Sequence, residues 1–281
     1  MKTKVPHFLP YQGSKRKLAP IILDKFSGRY DFIYEPFAGS AAVSLAALAC
    51  GRVRRATISD KLEPLMALWN LVINDPDKIA DQYERHWNAQ LKSPSDYFIK
   101  VRNHYNETRQ PSELLYLIAR CVKNAVRFNA NGDFNQSADS RRRGTNPRTM
   151  RSEIMMVSKL CAGRVEAVGA DFRDVLKDAK PTSLVYLDPP WQGTSGKRDQ
   201  RYAFPLLIDD LILALEDLNR RKIPYLLSYD GTCGDKSYGK DLPDYLNLRK
   251  VGLNAGRSSQ ATLLGRNEIT IESLYISQDV K

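Results

Sequence analysis

The chain has 281 residues, 42% of them hydrophobic, enough for one domain carrying an insert or for two small ones around a sizeable core. No long uncharged apolar run exists, so no transmembrane helix is expected. A formal net charge of +11 favours a polyanionic partner, because cations that neutralise phosphates release counterions.

Met1-Lys2-Thr3-Lys4-Val5-Pro6 is basic, but no apolar signal core follows it, so the cytoplasm is the expected location. Phe32-Ile33-Tyr34 predicts a buried strand, followed by a turn at Pro36 to Gly39. Ser40 to Cys50, rich in Ala and Leu, predicts a helix stopped by Gly51. Ala56-Thr57-Ile58-Ser59 predicts a second strand ending at Asp60. This strand-helix-strand unit seeds a parallel sheet. Residues 75–157 are polar and helical and end in a basic, Asn-rich stretch. From Arg120 to Arg151 that stretch holds Arg120, Lys123, Arg127, Arg141, Arg142, Arg143, Arg148 and Arg151 against Asp133 and Asp139, with a tight turn expected at Asn131-Gly132. Val165 to Val168 and Leu184 to Leu187 predict strands, Ile208 to Arg220 a helix, Tyr225 to Ser228 another strand, and Glu268 to Ser277 a closing strand. The expected organisation is a catalytic α/β unit at 1–74 and 158–281, interrupted by a mainly helical insert at 75–157.

Cys50, Cys121, Cys161 and Cys233 form no Cys-x-x-Cys pair, and the histidines (His7, His86 and His104) show no ligand spacing. No metal site is expected, and no histidine is assigned to catalysis.

The sharpest signal is Asp188-Pro189-Pro190-Trp191, directly after an apolar strand. Ligands of open α/β sheets sit at the carboxyl ends of strands. The residue types suit activation of an aromatic amine whose lone pair is delocalised into its ring. The Asp188 carboxylate and the Pro189 carbonyl can each accept one N–H, localising the lone pair for attack on a methyl group. Pro189 and Pro190 stiffen the loop, and Trp191 offers a face on which an extruded base can stack. A second signal, Glu35-Pro36-Phe37-Ala38-Gly39-Ser40, lies at a strand-to-helix turn where Gly39 permits close backbone approach. Asp60 follows at a ribose-binding distance in sequence. The three-glycine dinucleotide pattern and the Gly-Lys-Ser/Thr phosphate loop are both missing, which suits a nucleoside without phosphates better than NAD or ATP.

These motifs, in this order, resemble the Dam-type, alpha-group DNA adenine methyltransferases over nearly the whole chain. Tyr11-Gln12-Gly13-Ser14-Lys15-Arg16-Lys17-Leu18 is similar to the family's aromatic-x-Gly-Gly-Lys start, with Ser14 in place of a glycine. The resemblance implies that Tyr11, Gly13 and Lys15 contact the cofactor, with Lys15 by the reaction site. It implies that Glu35, Pro36, Phe37, Ala38 and Gly39 form the cofactor loop and that Asp60 binds ribose. Asp171-Phe172 would hold the cofactor's adenine, and Asp188, beside the cofactor, would head the catalytic tetrapeptide. Arg257-Ser258-Ser259 and Glu268 to Ile276 resemble the closing segment. In the insert, Arg127-Phe128-Asn129, Gly132 and Phe134-Asn135 follow the family's DNA-reading hairpin. Val122-Lys123-Asn124 and Gln136 to Asp139 depart from it, so the recognised sequence is not carried over. Lys123, Asn124, Arg127, Asn129, Asn135, Arg141, Arg142 and Arg143 are the candidate DNA contacts, the arginine run through phosphates.

What the resemblance implies is a doubly wound Rossmann-like α/β sheet with a helical recognition insert. It implies S-adenosylmethionine as cofactor and methyl transfer to adenine N6 of duplex DNA with the base flipped out. A monomer is expected, with a cognate restriction endonuclease as a candidate partner. Cytosine N4 methylation is the nearest competitor, but such enzymes commonly place Ser where Asp188 stands. Cytosine ring-carbon methylation needs a Pro-Cys nucleophile, which is absent. RNA or a protein amide is a weaker acceptor given the hairpin. Intact Asp188, Asp60 and Lys15 argue against a non-catalytic DNA-binding relic, and the missing glycines against a nicotinamide oxidoreductase.

Overall fold

The computed structural model describes residues 4–129, 131–190, 206–233, 236–239, 241–257 and 269–281. Strands β1 (Tyr30–Pro36), β2 (Val53–Asp60), β3 (Val165–Gly169), β4 (Ser183–Leu187), β5 (Tyr225–Cys233), β6 (Lys236–Tyr238), β7 (Arg249–Arg257) and β8 (Ile269–Ile276) form one sheet of order β3-β2-β1-β4-β5-β8-β7, with β6 paired to β5. The first five run parallel, while β8 is antiparallel to both β5 and β7.

Alternation along each strand sends side chains to opposite faces. Leu184, Tyr186 and Leu226 join one apolar cluster with α1 (Ala19–Leu23) and α2 (Ala42–Ala49). Val185, Leu187, Tyr225 and Leu227 join another with α8 (Phe172–Leu176) and α9 (Ile208–Arg220). Both faces are therefore covered, and the central strands read as continuous apolar runs. Burial of α2 from Ala42 through Leu48 explains why it is apolar all round. The expected doubly wound α/β sheet is the fold.

Between β2 and β3 lie α3 (Glu63–Asn74), α4 (Pro76–Ala89), α5 (Pro94–Thr108), α6 (Pro111–Arg120) and α7 (Pro147–Cys161). Their apolar stripes share one cluster, in which Leu68, Trp69 and Val72 of α3 meet Tyr83, Phe98, Tyr116 and Ile154. That core runs without a break across residue 75, and α7 continues past residue 157. No helix among the described residues is long and apolar enough to cross a membrane.

Candidate active site

Strand order reverses between the parallel neighbours β1 and β4, from which the sheet is built outward on either side. The crevice at their carboxyl ends is the switch point where open α/β sheets bind ligands. Glu35 to Gly39 leaves β1 there, and Asp188-Pro189-Pro190 leaves β4 beside it. Trp191 lies outside the described residues, as do Ser258, Ser259 and Glu268.

The Tyr11-to-Leu18 element runs into a 3-10 turn at Lys15–Lys17. It brings the buried Lys15 Nζ to 2.7 Å from Asp188 Oδ2, with the Gly13 carbonyl accepting a further bond at 3.2 Å. Lys15 and Asp188 are 173 positions apart in sequence. Glu272 of β8 is the third member, its Oε2 3.6 Å from the same ammonium. Burial lifts the Asp188 carboxyl to about 6; the Lys15 charge holds it down and Glu272 adds to the rise. Tyr186, fully buried and bonded to Ser228 at 2.9 Å, lies below Asp188 on the strand.

In the loop after β1, Phe37, Gly39 and Ala41 all take left-handed conformations, at φ 68°, 49° and 46°. Such conformations cost a non-glycine residue on the order of 1–2 kcal/mol and persist where surrounding contacts impose them. Those contacts are present. Trp69 Nε1 donates to the Gly39 carbonyl at 3.0 Å, and the Ala38 amide donates to Ser59 at 2.8 Å. Ser40 Oγ donates to Ser14 Oγ at 2.7 Å, tying this loop to the N-terminal element. A Cβ on Gly39 would stand 3.1 Å from the Tyr11 ring, so the glycine is needed for both its φ and its contact. Glu35 is buried, and its carboxylate accepts the Ser44 amide at 2.7 Å within the first turn of α2. Glu35 thus braces the turn from β1 into α2. Burial pushes its carboxyl up to about 7, opposed by the Ser44 bonds and reinforced by Asp188.

Asp60, at the end of β2, accepts the amides of Leu62 at 3.0 Å and Gly39 at 3.2 Å. A carboxylate offers about four lone-pair sites, so capacity remains for hydroxyl donors. Phe172 packs on Phe37 with ring centroids 5.0 Å apart. Asp171 caps α8, accepting the Arg173 amide at 3.0 Å, and pairs with Lys61 at 3.2 Å. The Arg173 bonds hold its carboxyl down at about 2. An acid at the end of β2, the Phe37–Phe172 pair, a strained glycine turn and the lack of a phosphate-loop motif fit a nucleoside cofactor. Among the described residues no group of three or more His, Cys, Asp or Glu is arranged to hold a metal ion.

The basic stretch divides into parts. Phe128 and Phe134 face each other across a bridge that makes the hairpin, and Phe134 is held to α5 by the side-chain amide of Asn106, whose Nδ2 donates to the Phe134 carbonyl and whose Oδ1 accepts the Phe134 amide. Asn129 Oδ1 accepts the amides of Asn131 and Asp133, each at 2.9 Å, so Asn129 shapes the tip. Asn135 is exposed, and Arg127 is half-buried at the hairpin's base. Lys123 is exposed with φ 59°. Asn124 donates to the Ile118 carbonyl at 2.9 Å, and its own carbonyl accepts the Gln12 amide at 3.1 Å. Its side chain closes α6 while its backbone joins the hairpin region to the Tyr11-Lys15 element.

Arg141, Arg142 and Arg143 are exposed, but Arg142 is paired with Asp139 at 2.7 Å. The backbone of the run is held from below. Arg120, 2% exposed, donates to Gln90 Oε1 at 2.6 Å, to the Asp139 carbonyl at 2.6 Å and to the Arg142 carbonyl. Gln90 in turn donates to the Arg143 carbonyl at 2.9 Å. Arg151 faces Asp77, Asp81 and Glu84 of α4. Sequence reasoning missed three roles here: Glu272 at the site, Gln90 under the loop, and the inward turn of Arg120. The one signal for Glu272 was an acid inside an otherwise uncharged closing strand.

The chain is similar to known proteins. Residues 11–247 match the model of the D12 class N6 adenine-specific DNA methyltransferases. The chain is 26% identical over 206 residues to the type II methyltransferase M.MjaIII of Methanocaldococcus jannaschii, covering 67% of this chain and 70% of that protein. It is 22% identical over 200 residues to the type II methyltransferase M1.LlaDCHI of Lactococcus lactis subsp. cremoris, covering 68% and 67%. Among solved structures, a precorrin-6y C5,15-methyltransferase from Geobacter metallireducens overlaps 92% of this chain and 87% of its own, at 11% identity and a TM-score of 0.35. The chain belongs to the D12 class N6 adenine-specific DNA methyltransferase family.

Proposed function

We propose that Asp188 and the Pro189 carbonyl hold the amine of a flipped-out adenine while the loop after β1 holds S-adenosylmethionine. The observation that carries this is the Lys15–Asp188 pair, 2.7 Å apart at the carboxyl end of β4, beside the strained Phe37-to-Ala41 turn. When bound, S-adenosylmethionine supplies an electrophilic methyl group: the N6 lone pair forms the new N–C bond as the electrons of the C–S bond pass to sulfur. Asp188 accepts one N6 hydrogen and Pro189 the other, which localises the lone pair before the methyl arrives. The surplus N6 proton leaves through the Asp188 carboxylate to water. Asp188 must be ionised for this, and Lys15 favours that form. Asp60 would take the ribose hydroxyls of the cofactor, Phe37 and Phe172 would hold its adenine ring, and Trp191 would offer the target base a face to stack on.

Residues 75–157 form the target-recognition insert in this reading, with 1–74 and 158–281 as the catalytic unit. Arg127 and the hairpin read the duplex, while Arg141 and Arg143 contact phosphates. The type II methyltransferase names of the relatives support a cognate restriction endonuclease as partner. The reading is completed by a monomer working in the cytoplasm.

Asp188→Ala tests the assignment. Turnover should vanish while S-adenosylmethionine affinity stays within about tenfold, because an interaction made mainly in the transition state lowers kcat more than binding. Near wild-type turnover in the variant would remove Asp188 from the chemistry.

A further inference from the structure

Glu272 belongs neither to the tetrapeptide nor to the cofactor loop. It lies in β8, where Gly231 of β5 and Leu253 of β7 are its backbone partners. Its side chain is 17% exposed and points at Lys15, with Oε2 3.6 Å from Nζ. That oxygen has no hydrogen-bond partner among the described residues. A buried carboxylate oxygen left so is costly, and such groups cluster where function imposes them. Lys15, only 8% exposed, thus stands between two carboxylates, bonded to Asp188 at 2.7 Å and within reach of Glu272. Lys15, Asp188 and Glu272 together carry a net charge of minus one when all are ionised.

Bonding to Lys15 and bonding to an incoming amine compete for the same carboxylate charge. A lysine paired with Asp188 alone would blunt it as an acceptor at the moment positive charge grows on N6. A second carboxylate offers the ammonium another anchor and leaves the cluster negative, which favours that growing charge.

We propose that Glu272 is a positioning residue: it shares the Lys15 ammonium with Asp188, so that Asp188 meets the adenine amine with its charge largely unspent. The proposal rests on the assignment of Asp188 to the adenine amine. Among the described residues, four groups face Asp188 from the elements around it: Lys15 from the N-terminal turn, Glu35 from β1, Tyr186 from β4 and Glu272 from β8.

The test is Glu272→Gln in the full chain, with adenine methylation, S-adenosylmethionine affinity and the pH profile of kcat measured beside the wild type. The variant should lose about 10- to 100-fold in kcat while KM for DNA and cofactor affinity stay within about threefold. Its acid limb should move to lower pH, because removing a neighbouring negative charge eases ionisation of Asp188. A purely structural counterion would alter melting temperature while leaving kcat at the wild-type level. Glu272→Asp keeps the charge and withdraws it by one methylene, so it should fold and fall between the two in kcat. Wild-type kcat and pH profile in Glu272→Gln would overturn the proposal. So would wild-type kcat in Glu272→Asp, should the glutamine variant fail to fold. A wild-type chain that methylates no adenine would instead overturn the assignment of Asp188 beneath it.

Discussion

The three consecutive arginines after the hairpin should act unequally on DNA. Each phosphate neutralised by a protein cation adds about 0.9 to the slope of log affinity against log salt. Three free arginines would contribute about 2.7. Arg142 is not free: Asp139 holds its guanidinium at 2.7 and 2.8 Å, and the same carboxylate accepts the Arg141 amide at 2.9 Å. Those bonds keep the Asp139 carboxyl below its usual range, so it is ionised throughout the working pH. Replacing Arg141 and Arg143 by alanine should flatten the slope by about 1.8, whereas Arg142→Ala should leave it nearly unchanged. From 50 to 200 mM salt the double variant would then lose affinity roughly twelvefold less than the wild type. Fluorescence anisotropy titrations of one labelled duplex at several salt concentrations measure this. The methylated sequence should stay the same, because phosphate contacts weaken all sequences alike. An unchanged slope in the double variant would make the run an ordinary solvated loop. An equal effect from Arg142→Ala would refute the pairing with Asp139.

Asp60→Asn should weaken S-adenosylmethionine binding by about 1.5–3 kcal/mol, the worth of a charge-assisted hydrogen bond, with similar effect whichever DNA is used. Asp171→Ala should do the same and also cost about 1 kcal/mol of stability as a lost helix cap; calorimetry and thermal melting separate the two. Glu35, whose carboxyl is lifted to about 7 in the fold, stabilises the native state most below its ordinary value of 4.5 and loses that contribution as pH rises through 7. Glu35→Gln should therefore gain in melting temperature relative to the wild type on going from pH 5 to pH 8. A gap that does not widen in this direction would show that the native state tolerates the Glu35 charge.

The central strands were legible because each is buried on both faces and so appears as a plain apolar run, as Leu184 to Leu187 does. The helix Ile208–Arg220 was legible because Leu211, Leu215 and Leu218 recur at helical spacing. β7 escaped notice: Arg249-Lys250 opens it and two glycines interrupt it, which leaves only the short alternation of Val251, Leu253 and Ala255 to mark it. Asp188, Gly39 and Asp60 could be found because each sits in a short local motif at a strand end. Glu272 could not, since its meaning depends on a lysine brought to it by the closing of the sheet. Counting cations overstated the charge presented by the basic stretch. Arg142 is spent on Asp139, three positions before it, while Arg120 is spent inside the protein and Arg151 on α4, on partners so far off in the chain that local sequence carries no mark of them.

Modification-sensitive sequencing of DNA from a methylation-free host expressing the chain tests the chemistry most directly, since acceptor base and site are read together. N6-methyladenine should appear at one short, fixed sequence, and Asp188→Ala expressed at equal level should leave that sequence unmodified. Methyl groups on cytosine N4, or adenine methylation that persists in the Asp188 variant, would contradict the assignment of this site.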